Sequence, residues 1–200
     1  DMAYEIVKDT ISEATRKKHF VSLKKDNPKK TRVEIDLPVR VNFCGSPSDA
    51  APYCLEYGGT MLDAAILLKN QKPIKVIAEI MDKGYILESI DQSCELKTYD
   101  KNEIMNCDNP FDPFALHKAV LVATGIMDFY DNGIKLSTNV DVPKGSGLGT
   151  SSIIAAAAVK AVNELFDLDT SDQTIYALVF LVEQLMTTGG GCLLYTSPSP

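Results

Sequence analysis

The sequence predicts an α+β fold, and three observations carry that prediction. Apolar and polar residues alternate through much of the first half, apolar residues recur at helical spacing through the second, and a glycine-rich loop near residue 145 joins a strand to a helix. At 45% apolar and 24% charged, 200 residues suffice for one ordinary globular domain.

The elements follow in order. Tyr4, Val7, Ile11 and Ala14 recur among charges at helical spacing and predict an amphipathic helix over residues 2–25 that stops before Asn27-Pro28, so residues 1–30 read as a helical lead-in or linker. From Thr31 the period changes. Val33, Ile35, Leu37, Val39, Val41 and Phe43 alternate as a strand with one buried face does, and Pro38, with no N–H to donate, marks an edge or a bulge. Gly45 to Pro52 is rich in turn residues. Further strands are expected near 60–68, 74–81 and 85–90, with Asp82-Lys83-Gly84 as a hairpin-type turn.

In the second half, a helix is expected from Asp112 to about Tyr130 and a strand from Gly133 to Val142. After the glycine loop, Ile154, Ala157, Ala158, Ala161, Val162 and Leu165 fall on one helical face, and Ala155 to Ala158 permit close packing. Asp169-Thr170-Ser171 then forms an N-cap cluster for a last helix, with Ile175, Leu178, Val179, Val182 and Leu185 on its apolar face. No charged residue follows Glu183. Cys192 to Pro200 belongs to no periodic element and resembles the translation of a sequencing adapter, so 192–200 is expected to be a non-native tail.

Charge and composition narrow the function. Twenty bases against 27 acids give a net charge of −7, which offers no basic stripe for a nucleic-acid backbone or an anionic membrane. The longest apolar runs, Ile153 to Val159 and Ala177 to Val182, fall short of the roughly 18 residues that span a bilayer. The first residues lack the basic and apolar regions of a secretory signal. Five cysteines, at 44, 54, 94, 107 and 192, include no Cys-x-x-Cys pair, so neither structural zinc nor a disulfide framework is expected and a reducing cytoplasm fits. His19 and His117 have no ligand cluster around them and read as ordinary surface or helix residues. There is no Gly-x-Ser-x-Gly elbow for a serine hydrolase, and Asp100-Lys101-Asn102 starts like a calcium loop but has Met105 where glycine is needed.

The chemistry concentrates in Lys144-Gly145-Ser146-Gly147-Leu148-Gly149-Thr150-Ser151-Ser152. Glycines let backbone N–H groups close around phosphate oxygens, the helix start adds about half a positive charge, and the three hydroxyls supply further donors or a magnesium ligand. A dinucleotide fingerprint would need glycine at Thr150, and a Walker loop would need lysine after its last glycine, whereas Lys144 precedes the run. The alternative is a loop that merely connects strand to helix. A plain turn, however, needs one or two glycines rather than three followed by three hydroxyls.

Pro143 to Ser152 resembles the second motif of the GHMP small-molecule kinases, Pro-x-x-x-Gly-Leu-Gly-[Ser/Thr]-Ser. Pro38-Val39-Arg40-Val41-Asn42-Phe43-Cys44-Gly45 is similar to the first motif, and Ser48-Asp49 with Pro52 and Gly58-Gly59 to its sugar-binding continuation. Glu183 to Gly191 resembles the start of the third conserved region in the fucokinase branch; Gly45-Ser46-Pro47-Ser48 departs from the Gly-Gly-Trp-Ser of many members of that branch.

The resemblance covers residues 31–191. It implies the N-terminal, ATP-binding domain of a GHMP kinase, with a ribosomal protein S5 domain 2-like sheet and helices, and without the family's C-terminal ferredoxin-like domain. It further implies that Lys144 to Ser152 hold the ATP phosphates, that Ser151 and Glu183 ligate Mg²⁺, that Ser48 and Asp49 grip sugar hydroxyls, and that Arg40 stands near the transferring phosphoryl. The implied activity is ATP-dependent phosphorylation of the anomeric hydroxyl of L-fucose or a related sugar, with an upstream nucleotidyltransferase domain in the full-length protein. An aspartate base is expected beyond Gly191, where Cys192 to Tyr195 offer none, so the 200 residues alone are expected to be inactive. The alternatives are a non-catalytic nucleotide-binding fragment and a kinase for another sugar, such as a heptose phosphate. On residue type alone Asp49 also reads as a solvated loop aspartate, Arg40 as the polar face of its strand, and Glu183 as either an exposed residue or an inward ligand.

Overall fold

Ile74, Val76 and Ala78 are fully buried while Lys75, Ile77 and Glu79 between them are not, the alternation of a strand with one covered face. This strand lies inside a five-stranded sheet. The computed structural model describes residues 28–46, 48, 53–109, 111–143 and 146–186. The expected helix over 2–25 and the tail over 192–200 lie outside them, as do Asp49, Lys144 and Gly145.

The strands are β1 (Arg32–Leu37), β2 (Val39–Cys44), β3 (Leu62–Ile66), β4 (Ile74–Met81), β5 (Tyr85–Ser89), β6 (Cys94–Thr98) and β7 (Gly133–Val140). The helices are α1 (Tyr53–Tyr57), α2 (Lys101–Met105), α3 (Ala115–Ala123), α4 (Thr150–Leu165) and α5 (Asp172–Leu185), with a 3₁₀ turn over Ile126–Asp128. The main sheet runs β1-β4-β7-β5-β6, antiparallel except where β5 lies parallel to β7; β2 and β3 form a separate antiparallel pair.

Three expectations are corrected here. The run from Val33 to Phe43 is not one strand: at Pro38 the chain leaves the main sheet, so β1 pairs with β4 while β2 pairs with β3. The turn Asp82-Lys83-Gly84 does not close a hairpin, because β7 inserts between β4 and β5. Gly133 makes that insertion possible: a Cβ there would sit 2.5 Å from the carbonyl carbon of Lys83. The helix expected from Asp112 to Tyr130 is shorter, since Gly125 takes φ 70° and a 3₁₀ turn follows.

Helices α3, α4 and α5 pack on one another, and α4 lies against β1 and β4. Helix α4 buries Ala155, Ala157, Ala158, Val159, Ala161, Val162 and Leu165, and α5 buries Ile175, Leu178, Val179, Leu181 and Val182. Each fully buried valine or leucine contributes about 1.5–3 kcal/mol. Elsewhere the sheet carries ion pairs, among them Arg32–Glu79 and Lys135–Glu88 at 3.2 and 2.9 Å. No helix among the described residues is long and apolar enough to cross a membrane. Among the same residues the cysteines Cys44, Cys94 and Cys107 are unbridged.

Candidate functional site

Helix α4 starts where β7 has run out, and the fold turns its N-terminus toward β2. Gly149 is the N-cap at φ 66°, a conformation natural to glycine and costly for other residues. The first N–H groups of any helix have no intrahelical acceptor. In α2 and α5 the side chains of Asp100 and Ser171 cap such groups; at α4 no side chain does. Gly147, at φ 72°, has open space where a side chain would stand. Ser146, Gly147 and Ser151 are exposed, and Leu148, Gly149, Thr150 and Ser152 are half-buried.

Arg40 reaches this point from β2. A Cβ on Gly149 would lie 2.4 Å from Arg40 Nε and 2.9 Å from Nη2, so the guanidinium lies against the bare glycine backbone. Arg40 Nη1 pairs with Asp63 Oδ2 at 3.1 Å. Its side chain is only 18% exposed, so the reading of Arg40 as a solvated strand face is corrected. Asp63, on β3, also accepts from Asn42 Nδ2 at 3.0 Å. Neither Asp63 nor Asn42 was singled out by the sequence; pairing β2 with β3 sets them directly opposite each other.

Glu183 lies in the last turn of α5 and is buried, so it does not sit on the exposed face of that helix. Its Oε1 accepts from the Ser152 hydroxyl at 2.5 Å. The structure thus brings Ser152, rather than Ser151, to Glu183, and Ser151 stays exposed one residue closer to the helix start. A carboxylate and hydroxyls are hard oxygen donors suited to Mg²⁺, which commonly takes one or two carboxylates and completes its shell with water and substrate phosphates. Among the described residues there is no cluster of three His, Cys, Asp or Glu that would form an all-protein cage.

Ser48 is committed to the backbone. Its hydroxyl donates to the Thr60 carbonyl and accepts from the Thr60 N–H, both at 3.1 Å, and its own N–H closes a turn onto the Gly45 carbonyl at 2.7 Å. Gly45 at φ 93° would place a Cβ 2.0 Å from the Thr60 oxygen, so only glycine fits there. His117 is a helix residue, as expected, but a buried one. Its Nε2 and Thr138 Oγ1 share a 3.0 Å hydrogen bond, and burial lowers its pKa to about 4 despite opposing pulls from the Glu88 backbone, Asp91 and Asp112. Asp100 serves as the cap of α2, accepting from the Asn102 N–H.

Comparison with known proteins identifies the family. Residues 115–194 match the GHMP kinases N terminal domain. The chain is 44% identical over 167 residues to the bifunctional fucokinase/GDP-fucose pyrophosphorylase of Arabidopsis thaliana, an alignment covering 82% of the chain and 16% of that protein. It is 32% identical to the L-fucokinase/L-fucose-1-P guanylyltransferase of Bacteroides fragilis, covering 77% of the chain and 18% of that protein. The chain therefore spans less than a fifth of either relative. The crystal structure of a D-glycero-D-manno-heptose 1-phosphate kinase from Bacteriodes thetaiotaomicron superposes with a TM-score of 0.60 at 28% identity, over 76% of this chain and 47% of that one. By sequence, by fold and by the glycine-capped helix start, this chain carries a GHMP kinase N-terminal domain.

Proposed function

We propose that this domain binds Mg-ATP at the start of α4 and serves an ATP-dependent kinase that phosphorylates the anomeric hydroxyl of L-fucose or a related sugar. The observation that carries the reading is the meeting of three groups at one helix N-terminus: the backbone donors behind Gly149, the Arg40 guanidinium, and the Ser152–Glu183 pair. Phosphoryl transfer asks a protein chiefly for positioning and charge neutralisation. Backbone N–H groups from Gly147 to Ser152 would hold phosphate oxygens, with Lys144, Gly145 and Ser146 completing the motif. Arg40 would offset charge that builds on the transferring group.

Glu183, with Ser152 beside it and Ser151 exposed at the rim, would hold Mg²⁺. Held there, Mg²⁺ would supply positive charge to neutralise the phosphates. Ser48 and Asp49 are proposed for the sugar side, Ser48 by fixing the loop through Thr60. The relatives' names favour fucose and make a fused nucleotidyltransferase domain the expected neighbour in the full-length protein. A cytoplasmic location fits the unbridged cysteines.

The 28% identity to a heptose phosphate kinase favours a second reading of the acceptor. ADP release from the full-length protein, measured with L-fucose, other free aldoses and heptose phosphates, separates the two. Turnover confined to heptose phosphates would replace the fucose reading, and none with any acceptor would remove the kinase reading.

A further inference from the structure

Arg40 carries its charge to a place that a cation should avoid. A helix N-terminus is electropositive, so a guanidinium lying on Gly149 is disfavoured there unless an anion compensates it. The compensating anion is Asp63, whose Oδ2 accepts from Arg40 Nη1 at 3.1 Å.

The β2–β3 pairing dictates this arrangement. Asn42 stands directly opposite Asp63, and Arg40 opposite Ala65, so Arg40 and Asp63 form a diagonal pair on one face of the ribbon. The Asn42 amide is itself anchored, donating to the Cys44 carbonyl at 3.2 Å where the register shifts between Asn42 and Cys44. Its other contact, at 3.0 Å, holds Asp63 Oδ1. Both carboxylate oxygens are thus engaged by donors from β2, which fixes the plane of the carboxylate. That plane in turn fixes the guanidinium through one of its Nη groups. The Nε and Nη2 edge is left turned to Gly149, with no acceptor among the described residues.

We infer that Asp63 is a positioning residue for Arg40: with Asn42 it holds the guanidinium against the glycine loop so that its Nε–Nη2 edge meets the transferring phosphoryl. This rests on the kinase reading above. Lysine could not take the place of Arg40, because the role needs a planar cation with two donor edges. The benefit falls on the transition state, where a pre-aimed donor costs no reorganisation.

The test is a double-mutant cycle in the full-length protein. Asp63→Asn keeps the shape and removes the charge, and circular dichroism verifies that it folds. The expected result is a 10- to 100-fold fall in kcat with the KM for ATP and for sugar changed less than threefold. In an Arg40→Ala background the same substitution should cost less than twofold, because the partner it serves is gone. An undiminished loss in that background, or a loss confined to KM, overturns the inference. A crystal structure of the Asp63→Asn protein reads the point without activity: Arg40 should leave Gly149, and an unmoved guanidinium overturns the inference. If the wild-type protein turns over no sugar, the kinase reading fails alone and this structure still decides the role of Asp63.

Discussion

The Ser152 hydroxyl donates to Glu183 Oε1 at 2.5 Å and so ties the first turn of α4 to the last turn of α5. A buried carboxylate needs such a donor, since an unmet buried acceptor costs about 1–3 kcal/mol. Ser152→Ala should therefore lower unfolding stability by about that amount, whereas Ser151→Ala, at an exposed position, should stay within about 0.5 kcal/mol of wild type. Urea denaturation of both variants checks the contrast. Nucleotide binding should divide the other way, with Ser151→Ala weakening Mg-ATP.

Gly149 and Gly147 differ in what a side chain would strike. At Gly149 a Cβ meets Arg40 Nε at 2.4 Å, and at Gly147 it meets nothing within 4 Å. Gly149→Ala should displace Arg40 and cut kcat at least tenfold, adding about 1–2 kcal/mol of left-handed backbone strain. Gly147→Asn tolerates that backbone region but puts a side chain into the space assigned to the phosphate, so it should raise the KM for ATP while changing kcat less than threefold. Steady-state kinetics on the full-length protein decides; equal losses of kcat in the two variants would show that the Arg40 contact is irrelevant.

His117 gives the fold a pH dependence of known sign. Burial lowers its pKa to about 4 in the folded protein, against an ordinary value near 6.5 when unfolded, so the unfolded state binds the proton first. Stability is full above about pH 6.5 and falls as pH drops toward 4, by about 3 kcal/mol in all. The carboxyls of Glu34, Glu88 and Asp167 are held below their ordinary values by Lys75, Lys135 and Lys29 respectively, so what they contribute is lost at the acid end of the same descent. Denaturation at pH 7 and at pH 5 should show the loss, and His117→Gln should abolish most of it. An identical slope in that variant would assign the effect to another group.

The helices of the second half were legible because one-sided apolar spacing is a local property: Ala157, Ala158, Val162 and Leu165 are buried as their periodicity requires. Strand β4 falls on the residues expected. Strand partners were not legible, since pairing is a long-range choice. Nothing local to Asp82-Lys83-Gly84 reports that β7 will enter between its flanking strands, or that Pro38 divides one alternating run between two sheets. The strand β6 and the short helices α1 and α2, each five residues long, carry too little periodicity to stand out. The loop glycines announced the helix start, and Arg40 was singled out through its motif. Asp63 was missed because its importance arises only when β3 is laid against Asn42 and Arg40.

The central claim is that the glycine-capped start of α4 is where the nucleotide binds. Calorimetric titration of Mg-ATP into the wild-type protein and into Gly147→Val tests it most directly, because a β-branched residue is a backbone outlier at φ 72° and would project into the space a phosphate needs. The account expects Mg-ATP affinity to fall at least tenfold in the variant, with the circular dichroism spectrum unchanged. Equal affinity in the two proteins would contradict it.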